Sequence, residues 1–245
     1  MIINLCGGSG GSSAPIKLQE LIVRENGTYT PDEGYDGYSE VLVDVPTSGG
    51  TATVYVPDGM IFRNSTISSF PDWNCSNVSN AKEMFTFCSN LESIDIDLSN
   101  TTTGWQTFAY CSKLSRVKIE LKNISDMSGM FGACSNLTIV DGPWDCSNVT
   151  TITSLFYGCT SLRGVLPLSN MGDGYIGDSD IILDLSSSSN FTRDDIIRTI
   201  GKLSNVNNNY NFTGNAIIKL SQTVLDNLVY ADILSATYKG WTLTN

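Results

Sequence analysis

One phrase, Phe-x-x-Cys-[Ser/Thr]-x-Leu, occurs four times, at Phe85–Leu91, Phe108–Leu114, Phe131–Leu137 and Phe156–Leu162. The Phe positions step by 23, 23 and 25 residues, and Cys88, Cys111, Cys134 and Cys159 keep the same steps. A fixed period of this size predicts stacked units, each of which buries its apolar face only against a neighbour. The expected class is an α+β solenoid, with four to five repeats of about 23 residues.

Further positions share the register. Ten residues before each Phe stand Cys75, Leu98, Leu121 and Cys146, and two places on stand Asn77, Asn100, Asn123 and Asn148. Each Asn amide can donate to, and accept from, the backbone of adjacent turns. After the repeat Leu come Ile94, Val117, Val140 and Val165, so that Leu91–Leu98 and Leu114–Leu121 read as strands with inward apolar and outward charged residues. Asn80–Met84 reads as a short helical or 3-10 side. Together these predict a leucine-rich-repeat-like coil with a Phe spine.

The flanks divide the chain into a Gly/Ser-rich leader (1–15), a small β module (16–50), the coil (51–170) and an α/β C-terminal cap (171–245). The leader composition predicts flexibility. Ile16–Val23 and Ser39–Val45 read as strands around a turn-rich segment. Thr53–Val56 opens a worn first repeat, with Phe62 placed 23 residues before Phe85. Ile181–Leu185 is expected to continue the sheet. In the cap, Phe191–Ile200 reads as an amphipathic helix with Thr192 as N-cap and Asp195 at N3. Ala216–Leu220 reads as a strand and Ser221 as the next N-cap. A helix over 230–239 stops at Gly240.

Net charge is −11 and the isoelectric point about 4.3, which disfavours a nucleic-acid binder that tracks phosphates. No apolar window long enough for a spanning helix occurs, and the N-terminal residues lack the pattern of a secretory signal. Seven cysteines and no histidine leave no zinc pattern. In stacked units the thiols would lie about 4.8 Å apart, pointing the same way, which suits small buried fillers better than disulfides. Asp173, Asp178 and Asp180 miss the spacing of a calcium loop, and no metal or cofactor is expected. Without histidine a Ser or Cys nucleophile lacks its usual base, so the expectation is not an enzyme.

The candidate binding surface is the outward strand face, Asp95, Asp97, Arg116, Lys118 and Glu120, with Asp95 beside Lys118 as a cross-strand pair. Trp105 occupies the slot held by Lys82, Ser128 and Thr153 in the other units, and an exposed Trp there would be an interface or sugar anchor. A plain solvated face is the competing reading.

Trp144-Asp145-Cys146-Ser147-Asn148-Val149-Thr150, followed by Leu155-Phe156 and Cys159-Thr160-Ser161-Leu162, closely resembles the BspA-like bacterial surface leucine-rich repeat. Trp73–Leu91 matches equally well, and the two middle units keep only the tail of the pattern. Glu25-Asn26-Gly27-Thr28-Tyr29 through Val45 resembles a module of phage virion proteins, and Ser235–Leu243 the close of phage-encoded repeat proteins. These resemblances imply a structural and binding protein of a bacteriophage virion, such as a fibre or decoration protein. It would dock onto other virion proteins through Met1, Ile2, Ile3, Asn4, Leu5 and Cys6, without membrane insertion, and act as a homo-oligomer. The coil would meet host polysaccharide or protein. A bacterial surface adhesin is the alternative, and a glycan depolymerase a minor one.

Overall fold

A computed structural model describes residues 2–7, 17–22, 27–29, 41–44, 53–56, 58–59, 61–63, 68–70 and 74–245. Near the N-terminus, β1 (Ile2–Gly7) pairs antiparallel with β2 (Lys17–Ile22). The segment expected to be a flexible leader is therefore a strand over Ile2–Gly7. A second antiparallel sheet joins β3 (Gly27–Tyr29), β4 (Val41–Asp44) and β5 (Thr53–Tyr55) in that order. Residues 53–55 thus pair back onto β4.

From residue 74 onward the chain builds its core from stacked turns. Alternate backbone N–H groups reach the following unit: Glu83 to the Trp105 carbonyl, Phe85 to Thr107 and Phe87 to Ala109, and the same positions recur at Gln106, Phe108 and Tyr110. The N–H groups between them close tight turns, as Met84 to Ala81 and Thr86 to Glu83. Alternation of this kind requires left-handed residues at two fixed places per unit. They are Glu83 and Phe87, Gln106 and Tyr110, Gly129 and Ala133, then Ser154 and Gly158, with φ between 53° and 73°. The side expected to be helical or 3-10 is a run of turns.

Inside the turns the Phe rings form an offset stack. Phe62, Phe85, Phe108, Phe131 and Phe156 lie 5.2–5.6 Å apart, centroid to centroid, and within 9° of parallel. All five are buried, and each such burial contributes about 1.5–3 kcal/mol. The thiol ladder beside them is tied to backbone. Cys88, Cys111, Cys134 and Cys159 donate to the carbonyls of Phe62, Phe85, Phe108 and Phe131 at 3.0–3.1 Å. Asn100 and Asn123 donate to the Ser76 and Ser99 carbonyls at 2.6 and 2.9 Å.

The expected leucine-rich-repeat-like solenoid is nevertheless not what forms. Strand is confined to small, separate sheets, and the class is a small α+β fold with few helices. Among the described residues the central sheet is parallel and its strands are β6 (Ser93–Asp97), β7 (Arg116–Glu120) and β8 (Ile139–Asp141). It stops at Gly142. There φ is 132°, and a Cβ would overlap the Ile119 carbonyl oxygen. That same oxygen accepts the Trp144 indole N–H at 3.0 Å, so it is lost to the ladder. Trp144, not Cys146, faces Leu121 and stacks on Phe131. The third interval, two residues longer than the others, is absorbed here. A new two-stranded sheet follows, β9 (Trp144–Asp145) with β10 (Leu168–Ser169).

The C-terminal sheet is separate too, so Ile181–Leu185 does not continue the central one. Here β11 (Ile181–Leu185), β12 (Ala216–Leu220) and β13 (Trp241–Thr244) pair in parallel. Three helices, α1 (Arg193–Lys202), α2 (Gln222–Asp226) and α3 (Tyr230–Tyr238), make the crossovers. Thr192 is the N-cap of α1 with Asp195 at N3, as expected, and the two close a capping box. Ser221 stands at the N-cap of α2, but its hydroxyl is buried with no hydrogen-bond partner. Gly240 follows α3 with φ 81°. Arg193 grips Asp232 with two bonds of 2.7 and 2.8 Å, and Lys239 Nζ caps the end of α1 at the Ile200, Gly201 and Leu203 carbonyls.

Candidate binding surface

Strand alternation aims Ile94, Ile96, Val117 and Ile119 into the core and the charged residues out. The parallel register sets Asp95 opposite Lys118 and Asp97 opposite Glu120. Lys118 Nζ lies 2.8 Å from Asp95 Oδ2, and Arg116 reaches Asp141 on β8 at 2.5 Å. Asp97 and Glu120 would repel one another. Lys122 relieves this by binding Glu120 at 2.5 Å, and that hydrogen bond raises the lysine pKa above its ordinary value. Asp97 also accepts from the Ser99 N–H at 2.8 Å.

The structure thus brings five of the expected residues, Asp95, Asp97, Arg116, Lys118 and Glu120, onto one sheet face. Asp95, Arg116 and Lys118 border an open depression of about 410 Å3, which Ser69, Phe70, Ser93 and Ile94 complete. Trp105 is not among them. It is half-buried in the turns, with Lys82 Nζ 4.6 Å above its ring, so the slot shared by Lys82 and Trp105 holds a cation–π contact rather than a free aromatic. Of the N-terminal docking residues, Ile2, Ile3, Asn4, Leu5 and Cys6 lie in β1, and Met1 is outside the described residues.

A second exposed feature was not anticipated. Phe87 and Tyr110, 39% and 49% exposed, stack at 4.5 Å with rings 7° apart, and the Arg63 guanidinium sits 5.7 Å from the Phe87 ring centre. Both are left-handed, a conformation that costs a bulky residue about 1–2 kcal/mol. The equivalent position of the fourth unit is Gly158, which adopts it freely. The hint lay in two aromatics one place before Cys88 and Cys111.

The six cysteines whose side chains are described are buried, in no disulfide. Burial pushes Cys75, Cys111, Cys146 and Cys159 up to about 12, and Cys134 well above its ordinary value. Among the described residues no group of three or more His, Cys, Asp or Glu side chains could hold a metal ion, and no helix is long and apolar enough to cross a membrane.

Residues 58–166 match the model of a family described as Mycoplasma protein of unknown function, DUF285, a family associated with BspA-like surface repeat proteins. The match covers the stretch that carries the Phe stack and the β6–β8 face. No curated protein and no solved structure matches the chain.

Proposed function

We propose that the chain is a non-enzymatic binding protein displayed on the outside of a bacteriophage particle, meeting its partner with the β6–β8 face and docking through the N-terminal strands. The observation that carries the binding half is that face: paired strands hold acids and cations side by side around an open depression that Ser69, Phe70 and Ser93 help to line. Exposed charges of both signs on one face suit electrostatic recognition of a partner. The phage half rests on the resemblance of Glu25–Val45 and Ser235–Leu243 to virion proteins.

The family match favours a second reading, a bacterial surface interaction module. Immunogold labelling with an antibody to the chain separates the two. Gold on purified phage particles supports the virion reading. Gold on bacterial cells and none on particles overturns it. The docking half fails if a chain lacking residues 1–46 is still incorporated.

A further inference from the structure

Helix α3 is amphipathic in reverse. Of its nine residues only Asp232 and Ala236 are buried. Asp232 is held inside by Arg193 at 2.7 and 2.8 Å and accepts the Val229 N–H at 2.9 Å, so these bonds fix which side of the helix faces the fold. The large apolar residues point out: Tyr230 is 74% exposed, Ile233 39%, Leu234 48% and Tyr238 79%. Positions 230, 233, 234, 237 and 238 follow the i, i+3, i+4, i+7, i+8 spacing by which a helix meets a core. Thr237 adds no unmet polar group to this stripe, since its hydroxyl donates to the Ile233 carbonyl at 2.9 Å.

Three features say what covers it. Between Asn227 and Tyr238 the sole charged residue is Asp232, which is already paired. A chain of net charge −11 repels its own copies over much of its surface, and this face lets two copies meet without opposing charges. Tyr230, Leu234 and Tyr238 are spaced four and four, so the stripe reads the same in both directions about Leu234. A two-fold axis at Leu234 sets Tyr230 of one copy against Tyr238 of the other, the self-complementarity that a symmetric contact needs. The two tyrosines with Ile233 and Leu234 present about 500 Å2, the size of a functional patch. Two such faces bury about 1,000 Å2 together, where specific interfaces begin.

We infer that α3 is the contact between two copies of this chain, packed antiparallel about a two-fold axis at Leu234. The tyrosine rings cover the aliphatic centre from both ends and keep their hydroxyls at the rim, where water or the other copy satisfies them. An interface of this size makes an exchanging dimer rather than a permanent one. It uses no residue of the β6–β8 face and so leaves that face to other partners. Pairing then gives two such faces per assembly, and the second contact with a common target forms at raised effective concentration.

The test is sedimentation equilibrium on the full chain, from dilute to concentrated solution. The apparent mass should rise from one copy to two. Leu234→Glu sets two like charges at the axis and should weaken association about tenfold or more. Its melting temperature in dilute solution should not fall, because the side chain is half-exposed in the single copy. Ser112→Glu adds the same charge on the stacked turns and should associate as the parent does. Leu234→Cys should cross-link through residue 234 on mild oxidation, since at an axis that residue meets its own copy. A chain that stays a single copy at every concentration overturns the inference, and its flotation with phosphatidylcholine vesicles would then assign the stripe to lipid. An unchanged association constant for Leu234→Glu overturns it as well.

Discussion

Parallel partners in the stacked turns are neighbours by repetition, with Asp95 beside Lys118 and Thr103 beside Asp126 and no helix between them. In the C-terminal sheet Ile181 meets Ala216 only after α1 has crossed over. Polar bookkeeping differs accordingly. Stacked turns satisfy N–H groups, thiols and Asn amides from the adjacent unit, so each unit is incomplete without the next. Beyond residue 171 part of this is local, through helix hydrogen bonds and a capping box, while the Arg193–Asp232 grip ties α1 to α3. The first region should therefore fail at points of close backbone approach, and the second at charges.

Gly142→Ala should have the largest effect. The new Cβ would meet the backbone carbonyl of Ile119, which cannot rotate away as a side-chain end could. We expect a loss above about 4 kcal/mol, or no folding, by urea denaturation. Gly164→Ala is the control. It too has positive φ, but open space around the new Cβ, and should cost only about 1–2 kcal/mol.

Phe108→Ala comes next, at about 3–5 kcal/mol, because the ring is fully buried between Phe85 and Phe131. Hydrogen exchange should quicken at Phe85 and Phe131 as well as at residue 108. Unchanged protection at those neighbours would break the picture of mutually dependent units.

How far these features were legible depends on whether a side chain or the backbone carries them. The Phe period exposed the stack, and strand alternation exposed the Asp95–Lys118 face. Thr192 and Gly240 announced their helix ends through local chemistry. Repeated side-chain burial, however, does not say whether the backbone between repeats continues as one sheet. The two extra residues before Trp144 could sit anywhere in the third interval, and only the Ile119 carbonyl decides it. Left-handed Phe87 and Tyr110 carry no glycine to flag them. The α3 stripe was hidden because Ile233 and Leu234 would ordinarily face inward, and only the Arg193–Asp232 grip turns them out.

Opposite pH responses sharpen the comparison. Buried thiols with raised pKa stabilise the fold fully below the unfolded value near 9, and that contribution is lost as pH rises towards about 12. Asp232 behaves the other way. Its hydrogen bond from Arg193 holds the carboxyl below its ordinary 3.8, so its contribution is present above that pH and is lost as pH falls through the lowered value. Amide exchange followed across pH should show the stacked turns loosening first in alkali and the α1–α3 contact first in acid. Asp232→Asn should shrink the acid response at the α1–α3 contact and leave the alkaline response of the stacked turns in place.

Smaller still are the amide ladders. Asn100→Ala and Asn123→Ala should each cost about 1 kcal/mol, the net worth of a hydrogen bond to a turn carbonyl. Asn148 is exposed like them but makes no such amide bond among the described residues, and its loss should change stability by less than about 0.5 kcal/mol. Equal losses at all three, measured by thermal unfolding, would mean that the ladder continues past Trp144 and that the break there is less complete than the strand pairing indicates.

The Asp95–Lys118 pair should contribute least, and its smallness matters to the function. Both side chains are more than half exposed, at 66% and 58%, so solvent and salt screen them. A double-mutant cycle with Asp95→Ala and Lys118→Ala should give a coupling of about 0.2–1 kcal/mol, shrinking as salt is added. Face charges held so weakly can exchange one partner for another at little cost, as a recognition surface requires. A coupling well above 1 kcal/mol that persisted in high salt would instead make the pair a structural clamp on β6 and β7. The stacked region would then depend on charge much as the C-terminal region does, and the β6–β8 face would have to be abandoned as the binding surface.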